Sequence, residues 1–209
     1  HGLCPMDAEA HGLLAAPTAG EYEGYYVLED AVAQNTTTGA YYTSLSAAVT
    51  DAGDTAATIK LLADVTESVT IASGKNITLD LNGNSVSYST GRTSTISNKG
   101  KLTVTDSSDP SAGKIVSRLG YGIGAYASSE TTFKSGTIES VEGAIVGFGT
   151  TTNAKITVDG GTLKASDNAV LAFNGTSGAG GNTLAVNGGT FVGGITTDGY
   201  VACGIYAPN

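Results

Sequence analysis

The chain is poor in the residues that most often do chemistry. In 209 residues it has no tryptophan, two cysteines, two histidines and only two arginines, Arg92 and Arg118. Both histidines, His1 and His11, fall at the N-terminus, so the rest of the chain has no imidazole for acid–base work. Cys4 and Cys203 stand near opposite ends, without the neighbours of a catalytic thiol or the spacing of a metal site. Charged residues make up 14% of the chain, against roughly a quarter in an ordinary domain. No apolar run approaches the ~20 residues of a membrane span, so membrane insertion is not expected. The formal net charge of −9 argues against nucleic acid and anionic membrane surfaces, whose phosphates would be repelled, and leaves cationic or neutral partners open, glycans included. No signal peptide is visible and residue 1 is His, which reads as a piece of a longer, multi-module parent.

What is present is repetition. Glycine is abundant, at 30 residues, and threonine and β-branched aliphatics surround it. The phrase Ile156-Thr157-Val158-Asp159-Gly160-Gly161-Thr162-Leu163 returns as Leu184-Ala185-Val186-Asn187-Gly188-Gly189-Thr190-Phe191. Looser copies run over Thr132–Ile138 and from Leu102 to Ile115. The last glycine of each turn falls at 83, 113, 136, 161 and 189, spacings that belong to stacked repeat arrays. Gly136 is followed by Ile145 and Phe148 at the offsets that separate Gly161 from Val170 and Phe173. Each repeat therefore supplies three short apolar stretches, with Val, Ile, Leu and Phe pointing inward. That is one coil of a triangular solenoid whose backbone pairs with the coils above and below. An antiparallel sandwich would instead show hairpin pairs.

Residues 1–40 form a tail and an aromatic capping segment carrying Tyr22, Tyr25 and Tyr26, with Tyr41 and Tyr42 just beyond; residues 41–209 form the array, which stops abruptly after Tyr206-Ala207-Pro208-Asn209. Over 44–52, Leu45, Ala48, Val49 and Ala52 fall on one helical face, with Gly53 as the stop. Such a helix suits a cap that keeps strand edges and core from water. The two ends of a solenoid lie too far apart for a Cys4–Cys203 bridge unless the tail folds back, so both cysteines are expected unpaired, with Cys203 in the core.

Leu61-Leu62-Ala63-Asp64-Val65-Thr66-Glu67, followed by Val69-Thr70-Ile71-Ala72-Ser73-Gly74-Lys75-Asn76-Ile77-Thr78-Leu79-Asp80-Leu81-Asn82-Gly83, resembles the opening coils of pectate-lyase-like parallel β-helix modules in surface proteins of gut-type Gram-positive bacteria. Tyr42–Val49 is similar to the capping helix of those modules. The resemblance spans roughly residues 41–207 and implies an all-β, right-handed parallel β-helix with a short N-terminal capping helix. It also implies an extracellular protein, secreted or at the bacterial surface, in adhesive or glycan-related work, although no wall-anchor motif stands in the sequence.

Polysaccharide lyases of this fold class hold Ca²⁺ with carboxylates and abstract a proton with a basic residue. Asp106, Asp159 and Asn187 sit instead at turn positions that favour Asp and Asn for local bonding. Asp106-Ser107-Ser108-Asp109-Pro110 lacks the spaced acidic set of a calcium loop. Glu139 and Glu142 are a possible pair for glycoside hydrolysis, and they read as solvated turn carboxylates. Gly160-Gly161 and Gly188-Gly189 open no helix and make turns rather than phosphate cradles. No catalytic residue, metal ligand or cofactor is assigned. Thr78, Thr103, Thr132 and Thr157 occupy equivalent places and suit strands. Binding candidates are the aromatics: Tyr121 and Tyr126 around Gly-Ile-Gly-Ala with Arg118 close by, and Tyr200 and Tyr206 around a comparable stretch. The expected function is non-catalytic recognition of a host or microbial glycoprotein, a glycan or a secreted immunoglobulin. A stalk and a polysaccharide-cleaving enzyme are the alternatives.

Overall fold

Each glycine-turn phrase closes one coil of a parallel β-solenoid, which the computed structural model describes over residues 3–4, 26–27, 30–148, 150–173, 180–195 and 203–207. Ahead of the coils, β1 (Leu3–Cys4) pairs antiparallel with β2 (Tyr26–Val27). Next come β3 (Ala33–Asn35), β4 (Tyr41–Tyr42) and the helix α1 (Leu45–Asp51). The coils are strand triplets. The first is β5 (Ala57–Leu61), β6 (Val65–Thr66) and β7 (Val69–Ile71); the second is β8 (Asn76–Asp80), β9 (Ser85–Tyr88) and β10 (Ser94–Asn98). The third is β11 (Lys101–Thr105), β12 (Lys114–Ser117) and β13 (Tyr121–Ala125); the fourth is β14 (Glu130–Phe133), β15 (Thr137–Ser140) and β16 (Gly143–Gly147). The fifth is β17 (Lys155–Val158), β18 (Thr162–Ala165) and β19 (Leu171–Phe173), and the last described is β20 (Thr183–Val186), β21 (Thr190–Gly193) and β22 (Ile205–Tyr206).

Corresponding strands stack into three parallel sheets, one per side of the coil, and β3 extends the first sheet antiparallel to β5. Period-2 alternation sends every second residue inward, and the register lines these up from coil to coil. On the first sheet Ile59, Leu79, Val104, Phe133 and Val158 form one column. Val65, Val86, Ile115, Ile138 and Leu163 form another on the second sheet. All ten side chains are buried in the shared core. Outside the first sheet, Thr58, Thr78, Thr103, Thr132 and Thr157 make the threonine ladder that the spacing implies. Beside it Lys101, Glu130 and Lys155 alternate in sign, with N–O distances of 3.4 and 3.1 Å. The ammonium of Lys155, then that of Lys101, holds the Glu130 carboxyl below its ordinary range.

The glycines of the repeat stand at the corner between the first and second sheets. Gly136, Gly161 and Gly189 adopt φ of 92°, 73° and 102°, where a side chain is strained. Gly113 is required for space instead, since a Cβ there would lie 2.5 Å from the Leu81 Cβ and 2.9 Å from the Asp106 carboxyl.

The helix caps the first coil as its apolar face requires: Leu45, Ala48 and Val49 are buried against the strands, and the helix packs on β7. The coils clamp both of its ends. Glu67 accepts hydrogen bonds from the backbone N–H of Leu45 at 2.8 Å and Ser46 at 3.0 Å, two donors that no helical carbonyl can satisfy. Lys75 Nζ donates to the carbonyls of Thr50 and Ala52 at the other end, placing positive charge where the helix is negative. Tyr42, buried beside the helix, donates to Asp51, and burial together with that carboxylate pushes its hydroxyl above the ordinary tyrosine range. Glu67→Ala should cost about 1–3 kcal/mol, the loss of charge-assisted bonds to orphan donors. Hydrogen exchange should accelerate in residues 45–51 while the strands of later coils keep their protection.

Candidate functional site: an aromatic-lined groove on the third sheet

Alternation fails on the third sheet, and the failure builds a concave, aromatic-lined surface. Ile96, Ile123, Ile145 and Leu171 form the inward column. Gly122 faces inward beside Ile123, because a Cβ on it would lie 2.3 Å from Ile138 Cγ2 in the core. Two successive inward residues put Tyr121 outside. Gly124 also faces out, and its missing side chain leaves room for the Phe148 ring, whose Cε2 would lie 2.9 Å from a Cβ there. Phe148 meets Tyr121 edge-on at 5.1 Å between centroids and Tyr126 at 5.5 Å. The three rings make a strip along the outer face of β13.

Phe148 thus corrects the inward role expected from its spacing. The register pairs Ile145 with Leu171 and Gly147 with Phe173, so the turn before β19 is one residue longer than the turn before β16. That slip carries Phe173 into the core and leaves Phe148 half-buried on the surface.

At the near end of the strip lies a groove of about 290 Å³ lined by Tyr121, Glu142, Val146, Asn168, Cys203 and Tyr206 among others. Glu142, Asn168 and Cys203 each stand in the turn that leads into a third-sheet strand of successive coils. Glu142 is not the solvated carboxylate the sequence suggested. Only 6% of its side chain is exposed, and it pairs with Arg92, two coils away, and accepts from Asn168 Nδ2 at 2.7 Å. Glu139 faces other partners, Lys164 at 3.0 Å and Lys114 at 3.5 Å, and Lys164 most of all holds its carboxyl below the ordinary range. The two carboxylates therefore do not form a pair across a cleft. Cys203, expected in the core, is exposed and unpaired, because it occupies the groove-side turn ahead of β22 rather than an inward strand position.

The sequence candidates separate accordingly. Tyr121 and Tyr206 both line the groove, and Tyr126 is linked to Tyr121 through Phe148. Arg118 is exposed in the turn after β12, where its N–H donates to the Tyr88 carbonyl, and it does not line the groove. Tyr200 lies outside the described residues. Sequence reasoning missed Arg92, Phe148 and Asn168. The position of Asn168, one coil beyond Glu142 in the same turn, was the available signal. Chemically, the groove offers ring faces and edges together with an amide and a carboxylate that Arg92 holds from beside the groove, a set that donates to and accepts from hydroxyl groups.

Asp106 is committed elsewhere. It accepts from the backbone N–H of Gly83 and Gly113 at 2.8 and 2.7 Å, and from the hydroxyls of Ser108 and Ser111 at 2.9 and 2.7 Å. Among the described residues no group of three or more His, Cys, Asp or Glu side chains could hold a metal ion, and no helix is long and apolar enough to cross a membrane.

Comparison with known proteins finds no matching family model, no matching curated protein and no matching solved structure, so the parallel β-solenoid rests on the strand register alone and the finer resemblance to pectate-lyase-like surface modules gains no support.

Proposed function

We propose that this chain is a non-catalytic binding module, working outside the cell as part of a bacterial surface or secreted protein, that recognises a glycan through the outer face of its third sheet. The single observation behind this reading is the continuity of the Tyr121–Phe148–Tyr126 strip with the polar groove at Glu142 and Asn168. A sugar ring presents apolar C–H faces and a rim of hydroxyls. Aromatic rings cover the former, and carboxylate and amide groups bond the latter. A groove of about 290 Å³ is small by the standards of ligand pockets and suits one sugar residue at a time. A host glycoprotein, a secreted immunoglobulin among them, would be engaged through its glycan. The resemblance to β-helix modules of surface proteins agrees with the reading at the level of fold.

Tyr206 is 49% exposed, so Tyr206→Ala should leave the melting temperature unchanged. Calorimetric titration of a glycan found by array screening should show about tenfold weaker binding in this variant, the effect of one lost aromatic contact. Bound glycan should also slow alkylation of the Cys203 thiol, followed by mass mapping. No glycan ligand at micromolar concentration would sink the reading and leave a spacer as the better account. Release of unsaturated or reducing sugar would make the chain an enzyme instead.

A further inference from the structure

We propose that the far end of the aromatic strip is a subsite for a tetrahedral anionic ester, a sulfate or phosphate carried on a sugar, so that the ligand is an anionic glycan read along the strand direction. This rests on the glycan reading and gives it a substrate class and a polarity.

Tyr126 follows the last residue of β13, at the corner where the third sheet gives way to the first. Beneath that corner lies a hollow of about 470 Å³ lined by Lys75, Lys99 and Lys101, with Ser73, Gly100 and Ser128 among its other walls. Lys99 Nζ stands 5.4 Å from the Tyr126 ring centroid, so the cation adjoins the last ring of the strip. Lys99 has no carboxylate partner among the described residues. Lys75 Nζ bonds the carbonyl oxygens at the helix C-terminus, which engage its charge in part, and it has no carboxylate partner among the described residues. Glu130 is shared between Lys101 and Lys155. Two carboxylates, Asp54 and Glu130, thus share the hollow with three ammonium groups, and Glu130 is also engaged by Lys155 from outside it, on a chain whose formal net charge is −9.

The other end of the strip is different. At the groove, Arg92 neutralises the Glu142 carboxylate from beside it, and the other polar side chain named there, Asn168, is neutral. The strip is therefore neutral at one end and cationic at the other, separated by the five residues of β13. The rings stand 5.1 and 5.5 Å apart between successive centroids and Lys99 Nζ a further 5.4 Å from the last, a reach that suits a short oligosaccharide. The cations at the corner are all lysines. Each is a compact point charge with three rotatable donors, and several such groups can be arranged around the peripheral oxygens of a tetrahedral ester.

The test titrates one oligosaccharide in four forms, unsubstituted, sulfated, phosphorylated and uronate-bearing, into the protein and its Lys99→Gln variant. Either ester form should bind about tenfold tighter than the unsubstituted one, and the better of the two identifies the ester. That advantage should shrink as salt rises and screens the corner. Lys99→Gln should remove most of it while leaving the affinity for the unsubstituted form unchanged. Equal binding of all forms, a uronate preference as strong as the ester preference, or indifference to Lys99→Gln would overturn the subsite. If the unsubstituted form still binds and weakens in Tyr206→Ala, only the corner assignment fails. If no form binds, the glycan reading fails and the subsite with it.

Discussion

Asp106→Ala is expected to destabilise the solenoid by about 3–4 kcal/mol, the cost of several inward-facing donors losing one charged acceptor. Three backbone N–H groups, of Gly83, Ser108 and Gly113, and two serine hydroxyls converge on that carboxylate from the turns of the second and third coils. Burial works against the ionised form, but the bonds from Ser111, from the backbone of Gly83 and Gly113 and from Ser108 outweigh it and hold the group at about 2. The folded value lies below the unfolded one, so the stabilisation is complete above the unfolded pKa near 4 and disappears as pH falls through 2. Discounted for solvent screening, that contribution is about 1–2 kcal/mol. Urea titrations between pH 5 and pH 2 check it. Glu130 and Glu139 titrate in every variant, so the quantity to follow is the gap between the wild type and Asp106→Asn. That gap should narrow steadily toward pH 2. A constant gap would mean that the turn tolerates a neutral side chain and that the carboxylate is incidental.

The architecture was legible because it is written in short-range terms that each coil repeats. Ile156-Thr157-Val158 and Leu184-Ala185-Val186 alternate with a period of two, and the paired register places Ile156 against Leu184 as their common phrase requires. The helix was equally plain, because Leu45, Ala48, Val49 and Ala52 make an apolar face that needed a surface to cover; the structure adds its cap, the Ser44 side chain accepting from the Ala47 N–H at 3.1 Å. Its clamps were not visible. Glu67 and Lys75 are ordinary surface residues in sequence, and only the closing of the first coil carries them to the two ends of one helix.

The site was legible in part. Tyrosines in a chain without tryptophan draw notice, and three of the four proposed tyrosines lie on one strip and groove. What the sequence hid depends on a change of one residue in turn length. Counting from Gly136 and Gly161 makes Phe148 and Phe173 equivalent, yet the register pairs Phe173 with Gly147. Because alternation has a period of two, one residue reverses the side. Glu142 was hidden for a different reason. Its partner Arg92 is two coils away, a separation of 50 residues that no local pattern connects.

That long reach depends on Gly120, and the second large effect is expected there. Gly120 occupies the intervening coil between Arg92 and Glu142: its carbonyl accepts from the Glu142 N–H at 2.9 Å, while Tyr121 N–H donates to Thr93 in the coil before. A Cβ on Gly120 would lie 2.2 Å from the Thr93 carbonyl oxygen and 2.8 Å from its nitrogen. Both obstacles are backbone atoms, so no rotamer change relieves them, and two coils must part. Gly120→Ala should therefore cost about 3 kcal/mol or more, at the upper end for a single methyl group. Gly53→Ala is the control, since its Cβ would meet nothing within 4 Å. Coils in a solenoid support only their neighbours, so the damage should be local. Hydrogen exchange should rise in β10 and β13 and at Glu142, with the strands of the first coil protected as before. Glycan affinity should fall with it, because Arg92 no longer spans the gap to hold the Glu142 carboxylate in the groove. Wild-type melting and wild-type affinity in the Gly120→Ala variant would mean that the packing of these coils is looser than their hydrogen bonds imply, and that the arginine bridge does not organise the groove.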